Sequence, residues 1–344
     1  MLTASSCAIS PSVSEPASED RTSSSAQSLS ANASFDALAE SFPAVNGVVL
    51  QNGQVIWSRT GGFDRDARDG LTQNYNFYSI AKMITGTAFY RLEANGRIDL
   101  DASIAQIDPT LDAKFADVTV RHLLGHMSGI RHYRGEQDWK SFNDKRCETP
   151  ADSLAHFIED DLVSAPGEKQ SYSTYGFVLL SHLLMKITET DSFDAAMGDA
   201  LGSAYTFTTD HDDASKAANL HKFADEFETV EINAQCKFGG GGLLGSARDL
   251  ADFGSELIEG LIDPTDLAAW RLNNGDLING AYGMGTGFDV DIQAHYAAHS
   301  GGSPGGRAFL LVLFEPKIVV VLTANSDGPN HGDTALEIGK LFAE

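Results

Sequence analysis

Phe77-Tyr78-Ser79-Ile80-Ala81-Lys82-Met83-Ile84 carries the only Ser-x-x-Lys of this chain, and the residues just after it decide how the middle of the molecule folds. Met83, Ile84, Ala88, Phe89 and Leu92 recur near helical spacing and Asn95-Gly96 supplies a stop, so a helix is predicted to open at Ser79. Residues three apart share a helix face, which lets the Lys82 ammonium lie beside the Ser79 hydroxyl. The first turn also offers free backbone N–H groups and the positive dipole end, both favourable to developing negative charge. A serine hydroxyl is a weak nucleophile until a neighbouring base or cation helps remove its proton. The stretch therefore supplies the beginnings of an acyl-transfer site. A helix cap followed by a surface lysine gives the same spacing by chance, so other segments have to agree.

Working outward, Phe35 to Phe42 reads as a short amphipathic helix. Val45 to Arg59 reads as a hairpin, with Val48-Val49-Leu50 and Val55-Ile56-Trp57 on either side of the tight-turn pair Asn52-Gly53. From Ser79 to about residue 230 the pattern is mainly helical, with a clear apolar helix over Phe177 to Ile187. A helix is expected over Leu243 to Phe253, entered through Ser246 with Asp249 three positions later. Strands are expected at Gly287 to Ile292, Ala308 to Phe314 and Ile318 to Leu322, and a last helix at about Thr334 to Phe342. Strands at both ends with helices between them predict an α/β (α+β) fold. Its antiparallel sheet is flanked by terminal helices, and an all-helical lobe is inserted. The expected division is a disordered Ser-rich tether over 1–32, an α/β lobe from 33–78 and 239–344, and a helical lobe over 79–238.

At 344 residues, 42% hydrophobic and 21% charged, the chain can bury a full core. Its net charge of −24 argues against nucleic acid or anionic membrane surfaces as partners, since both need basic patches. No apolar run is long enough to cross a bilayer as a helix. Cys7, Cys147 and Cys236 are too few for a disulfide scaffold and lack metal-ligand spacing. No apolar core marks a signal peptide, which favours the cytoplasm. Leu2-Thr-Ala-Ser-Ser-Cys7 nevertheless resembles the end of a bacterial lipoprotein signal. With a segment upstream, Cys7 would be a lipid anchor in the cell envelope, where Cys147 and Cys236 could pair. Three plain thiols remain the other reading.

Two more segments carry chemistry. Ser171-Tyr172-Ser173-Thr174-Tyr175-Gly176 precedes the apolar helix, and an ammonium beside the Tyr172 phenol is expected to lower its pKa and let it shuttle protons. His299-Ser300-Gly301-Gly302 precedes a strand, where glycines leave N–H groups open to a substrate oxyanion. Gly301-Gly302-Ser303-Pro304-Gly305 fits the Gly-x-Ser-x-Gly elbow pattern but is rejected. Pro304 has no N–H to donate, and a strand rather than a helix comes next. Gly239 to Gly242 lacks the Gly-Lys-Ser/Thr of a phosphate loop. His126, His132 and His299 are too scattered for a metal, so neutral, hydrogen-bonded roles are expected and no cofactor is implied.

Taken in order, Ser-x-x-Lys, Tyr-Ser-Thr and His-Ser-Gly-Gly resemble the three active-site elements of the serine β-lactamase and penicillin-binding-protein superfamily. The chain looks most like the class C β-lactamase-like group of esterases and D-amino-acid peptidases, especially its mitochondrial serine β-lactamase-like branch and bacterial relatives. The supporting stretches are Val120-Arg-His-Leu-Leu-Gly-His-Met-Ser-Gly-Ile-Arg-His-Tyr133, Ser171 to Gly176 and His295 to Gly302. The resemblance implies Ser79 as the acylated nucleophile. It implies Lys82 as holder of positive charge that helps deprotonate Ser79, and Tyr172 as proton relay. The N–H groups of Ser79 and Gly302 would form the oxyanion hole, with Thr174, His299, Ser300 and Gly301 binding substrate. Thr174 stands where relatives often have Asn, and His299 where they often have Lys, which weakens the grip on a carboxylate such as that of penicillins. The expected function is hydrolysis of small esters or amides. A D-amino-acid or cell-wall peptide peptidase with weak β-lactam binding, and a non-catalytic binding or assembly protein on the same fold, are the alternatives. A small ester, amide or peptide is the expected partner, and oligomers remain open.

Overall fold

The computed structural model describes residues 18–64, 70–143, 146–211, 220–222, 228–230, 233–274 and 281–344. Cys7 and the first half of the expected tether lie outside the described residues. A six-stranded sheet runs in the order Gln54–Gly61, Val45–Gln51, Ile318–Ala324, Gly306–Leu313, Ala294–Ser303, Gly285–Asp289, with every pairing antiparallel. The first hairpin turns at Asn52 and Gly53, whose φ values of 50° and 74° are those its tight turn requires. Residues from the two ends of the chain thus lie side by side, Val48 opposite Val321.

Both faces of the sheet are covered, so its central strands Val45–Gln51 and Ile318–Ala324 are buried at nearly every position rather than at alternate ones. Val49, Val320 and Leu322 face helices Ser18–Ala39 and Gly332–Ala343, meeting Ala31, Phe35, Ile338 and Phe342. Val48, Leu50, Val319 and Val321 face the other way, into the main core with Leu250 and Phe253 of helix Ala247–Glu256. The period-two geometry of a strand makes this division automatic.

Several expectations change in detail. Helix Ser18–Ala39 runs through much of the segment read as a tether. Phe35 packs edge-on to Trp57 at 5.6 Å and Trp57 donates to Asn32, so the packed end stabilises a helix that the Ser-rich residues could not nucleate alone. The helix expected from Leu243 begins only at Ala247. Leu244–Ser246 instead forms a short strand with Asn74–Asn76, and Ser246 and Asp249 make the expected capping box. His299 to Gly302 precede strand Gly306–Leu313 as expected, but they themselves belong to strand Ala294–Ser303.

Between the strand-bearing ends, helices Ile80–Ala94 and Thr174–Thr188 are buried along most of their length. Cys147 and Cys236 form a disulfide across 89 residues, which settles that open pairing. It fixes the turn Gln235–Gly240 to the segment following helix Glu136–Asn143.

Candidate active site

Ser79 caps helix Ile80–Ala94 with its backbone but makes no side-chain cap bond, which leaves its hydroxyl available. The Tyr172 hydroxyl donates to Ser79 Oγ at 2.8 Å, and Lys82 Nζ donates to the same oxygen at 3.2 Å. Three residues from two distant segments therefore meet on one alcohol. Lys82 Nζ also donates to the Gly240 carbonyl and stands 5.0 Å from the centre of the Tyr172 ring.

The surroundings hold these groups in place. The Ser173 hydroxyl accepts from Gly176 N–H to start helix Thr174–Thr188 and donates to the Arg131 carbonyl at 2.7 Å. His126 Nδ1 accepts from Ser173 N–H and His132 Nδ1 from Thr174 N–H. The stretch from His126 to Tyr133 is thus the cradle of the tyrosine loop. Arg131 anchors it in turn, paired with Asp138 at 2.5 Å and Asp160 at 2.6 Å. Tyr78, His126 and Phe238 all carry positive φ, at 47°, 58° and 40°. Each such residue costs about 1–3 kcal/mol; Tyr78 directly precedes the nucleophile, and the His126 ring packs on Tyr172.

Close approach explains two glycines. A Cβ on Gly301 would lie 1.9 Å from the Phe77 carbonyl and 3.3 Å from Ser79 N, so only glycine lets the strand touch the nucleophile's turn. A Cβ on Gly239 would lie 2.2 Å from the Thr85 hydroxyl, on the helix that carries Lys82. Strand Gly285–Asp289 stops at Gly285, opposite Ala298, and among the described residues no strand pairs with His299 to Ser303 on that side.

Electrostatics correct two expectations. Lys82 is fully buried, and its pKa is held well below the ordinary amine value, first by burial and then by the neighbouring charge of Lys237. A resident positive charge on Lys82 is therefore disfavoured. Burial pushes the Tyr172 phenol up to about 12, and the Ser79 hydrogen bond only partly opposes this. The expected lowering by Lys82 does not occur: loss of water sets the direction.

A cavity of about 240 Å³ opens over Ser79, lined also by Tyr172, Thr174, Gly302, Ser303 and Lys237. A larger one of about 390 Å³, beside Phe288 and Leu336, carries neither serine nor lysine among its described lining residues, so size does not locate the chemistry. His299, Ser300 and Gly301 do not line the Ser79 cavity. His299 turns inward, with Nδ1 2.6 Å from the Ser300 carbonyl, and burial lowers it to about 4. Ser300 is exposed, while Gly301 is buried against Phe77 and Ser79. Lys237, Tyr133 and the Gly240 carbonyl escaped the sequence reading. Tyr133 was only the last residue of a supporting stretch, and the Gly239–Gly242 run hinted at the other two as a close turn.

Residues 31–343 match the family model described as Beta-lactamase. The chain belongs to the beta-lactamase family. Its serine hydrolase relatives include the mitochondrial serine beta-lactamase-like protein LACTB of Bos taurus, 24% identical over an alignment covering 86% of this chain and 75% of that protein. Among solved structures, a D-stereospecific amidohydrolase from Streptomyces sp. superposes with a TM-score of 0.72 at 20% identity, covering 91% of this chain and 98% of that one. EstCE1, a hydrolase with promiscuous acyltransferase activity, gives 0.72 at 18% identity and covers 95% and 100%. These structural likenesses establish the fold. Among the described residues no helix is long and apolar enough to cross a membrane, and no group of residues could hold a metal ion.

Proposed function

We propose that this family member is a serine hydrolase that cleaves small esters or amides through an acyl-enzyme on Ser79. One observation carries the reading: a single hydroxyl oxygen receives both the Tyr172 phenol and the Lys82 amine. With its pKa depressed, Lys82 exists in part as the free amine and accepts the Ser79 proton as Oγ attacks the substrate carbonyl. The backbone N–H groups of Ser79 and Gly302, which border the same cavity, hold the resulting oxyanion. Tyr172 remains protonated at neutral pH and gives its proton to the leaving oxygen or nitrogen as the intermediate collapses. Lys82 then returns a proton to the phenolate. Water repeats the sequence in reverse to free Ser79.

Esters and amides share this course. The names of two structural neighbours, an amidohydrolase and a hydrolase with acyltransferase activity, support both substrates without choosing between them. The test is hydrolysis of 4-nitrophenyl esters and amino-acid amides, with mass spectrometry of the trapped protein. A covalent adduct on Ser79 and abolished turnover in Ser79→Ala are expected. Undiminished turnover in Ser79→Ala would remove Ser79 from the mechanism and end this reading.

A further inference from the structure

Tyr78 holds an unusual position. It directly precedes Ser79, yet its φ of 47° is one that bulky side chains rarely adopt. Its N–H donates to the Asn76 side-chain oxygen at 2.7 Å, which fixes this turn. The ring so directed is 3% exposed and borders the Ser79 cavity. The turn that joins strands Ala294–Ser303 and Gly306–Leu313 closes on it. A Cβ on Gly306 would lie 2.8 Å from the ring, so the turn rests directly against it. The Tyr78 hydroxyl reaches the Pro304 carbonyl at 3.5 Å, the outer limit of a hydrogen bond. Gly306 pairs with Ser303, and Gly302 comes one residue earlier. The ring is therefore packed between two segments of the chain. One carries the Ser79 N–H, which follows Tyr78 directly, and the other carries the Gly302 N–H.

We propose that Tyr78 is a positioning residue whose ring sets the spacing between the Ser79 and Gly302 N–H groups, and with it the strength of the oxyanion hole. This deepens the acyl-transfer reading and rests on it. Donors act on an oxyanion only from about 2.7–3.1 Å, so a small movement of either segment slows the reaction. Gly301 sets their approach at one point, against the Phe77 carbonyl. The contact of Tyr78 with Gly306, on the far side of Gly302, keeps the strand from pivoting about the first. Packing of the ring does this, since the hydroxyl contact is weak at its distance.

A sulfur-for-oxygen swap in the substrate tests this. 4-Nitrophenyl acetate is compared with its thionoester, whose carbonyl sulfur is larger than oxygen and a weaker acceptor of hydrogen bonds. Tyr78→Leu should lower kcat/KM for the oxygen ester about tenfold or more and shrink the oxygen-over-sulfur ratio. The acid limb of its pH–rate profile should stay in place, because Ser79 and Lys82 keep their shared helix turn. Gly306→Ala, which presses a methyl group into the ring, should act in the same direction and decides the matter if Tyr78→Leu does not fold. Tyr78→Phe keeps the ring and should hold both quantities within about threefold. An unchanged ratio in the folded variant, whether or not the rate falls, overturns the assignment and leaves Ser79 chemistry standing. A loss of about tenfold or more in Tyr78→Phe also overturns it, since the hydroxyl would then be the acting group. No turnover of the oxygen ester by the unaltered protein overturns the acyl-transfer reading and this inference together.

Discussion

At the scale of single residues, the division of labour between Lys82 and Tyr172 comes from burial. Losing water disfavours the charged form of each, so the amine moves down and the phenol moves up. Burial thereby favours the uncharged amine and the protonated phenol before substrate arrives. Tyr172→Phe removes the proton donor while keeping the ring that packs on His126 at 4.5 Å. Its kcat on a 4-nitrophenyl ester should fall about 10²–10⁴-fold, with Ser79 still open to fluorophosphonate. Lys82 also predicts a pH dependence. Activity should rise with pH as the ammonium loses its proton. Lys237 is a like charge that lowers Lys82, so Lys237→Gln should raise the Lys82 pKa and move the acid limb of kcat/KM to higher pH. A limb that stayed in place in the pH–rate profile would separate Lys237 from Lys82. The Ser79–Lys82 pair was legible in the sequence because both lie on one helix turn. Lys237 was not, since nothing in its own neighbourhood tells that its turn folds back on Ser79.

Among the elements, the turn Gln235–Gly240 has more to do than its length suggests. It presents the Gly240 carbonyl to Lys82 and Lys237 to the cavity, and it contains Phe238 at a costly φ of 40°. Such strain persists only if the surroundings over-determine it, and the Cys147–Cys236 bridge is one such constraint. By the chain-entropy account, closing a loop of this length stabilises by about 4–5 kcal/mol. Cys236→Ser should therefore lower the thermal midpoint by many degrees, and Ser79 labelling in the folded variant should slow. A lower midpoint with labelling at the full rate would show that Phe238 and its neighbours hold the turn without the bridge. Helix boundaries tell a related story. The capping box at Ser246 was readable from four residues, whereas strand Leu244–Ser246 was not, because its partner Asn74–Asn76 lies far away in the chain.

For the molecule as a whole, buried histidines set an acid limit on stability. His132, His211 and His299 are lowered to about 4, His331 to about 3, and His126 well below its usual value, each mainly by burial. An unfolded histidine takes its proton near pH 6.5, while these folded ones refuse it until far lower. Between those values the unfolded chain binds more protons, so acid favours unfolding. Their stabilising contribution is full above about pH 6.5 and is lost as pH falls toward 4. Urea melts should show unfolding free energy dropping by several kcal/mol over that range. A flat profile would mean that the histidines are solvated in the native state.

The local signals survived into the fold because each is written in neighbouring residues. The Asn52-Gly53 turn needs two positive φ values, helix Ile80–Ala94 needs its spacing and stop, and Ser246 needs Asp249 three places on. The order of motifs also identified the family. What the tertiary structure alone decided is which groups lose water and which meet. Tyr172 rose in pKa, His299 turned into the interior, and Lys237 entered the cavity, all through burial by segments remote in sequence. Desolvation is set by everything that surrounds a group, and no stretch of chain encodes its own surroundings.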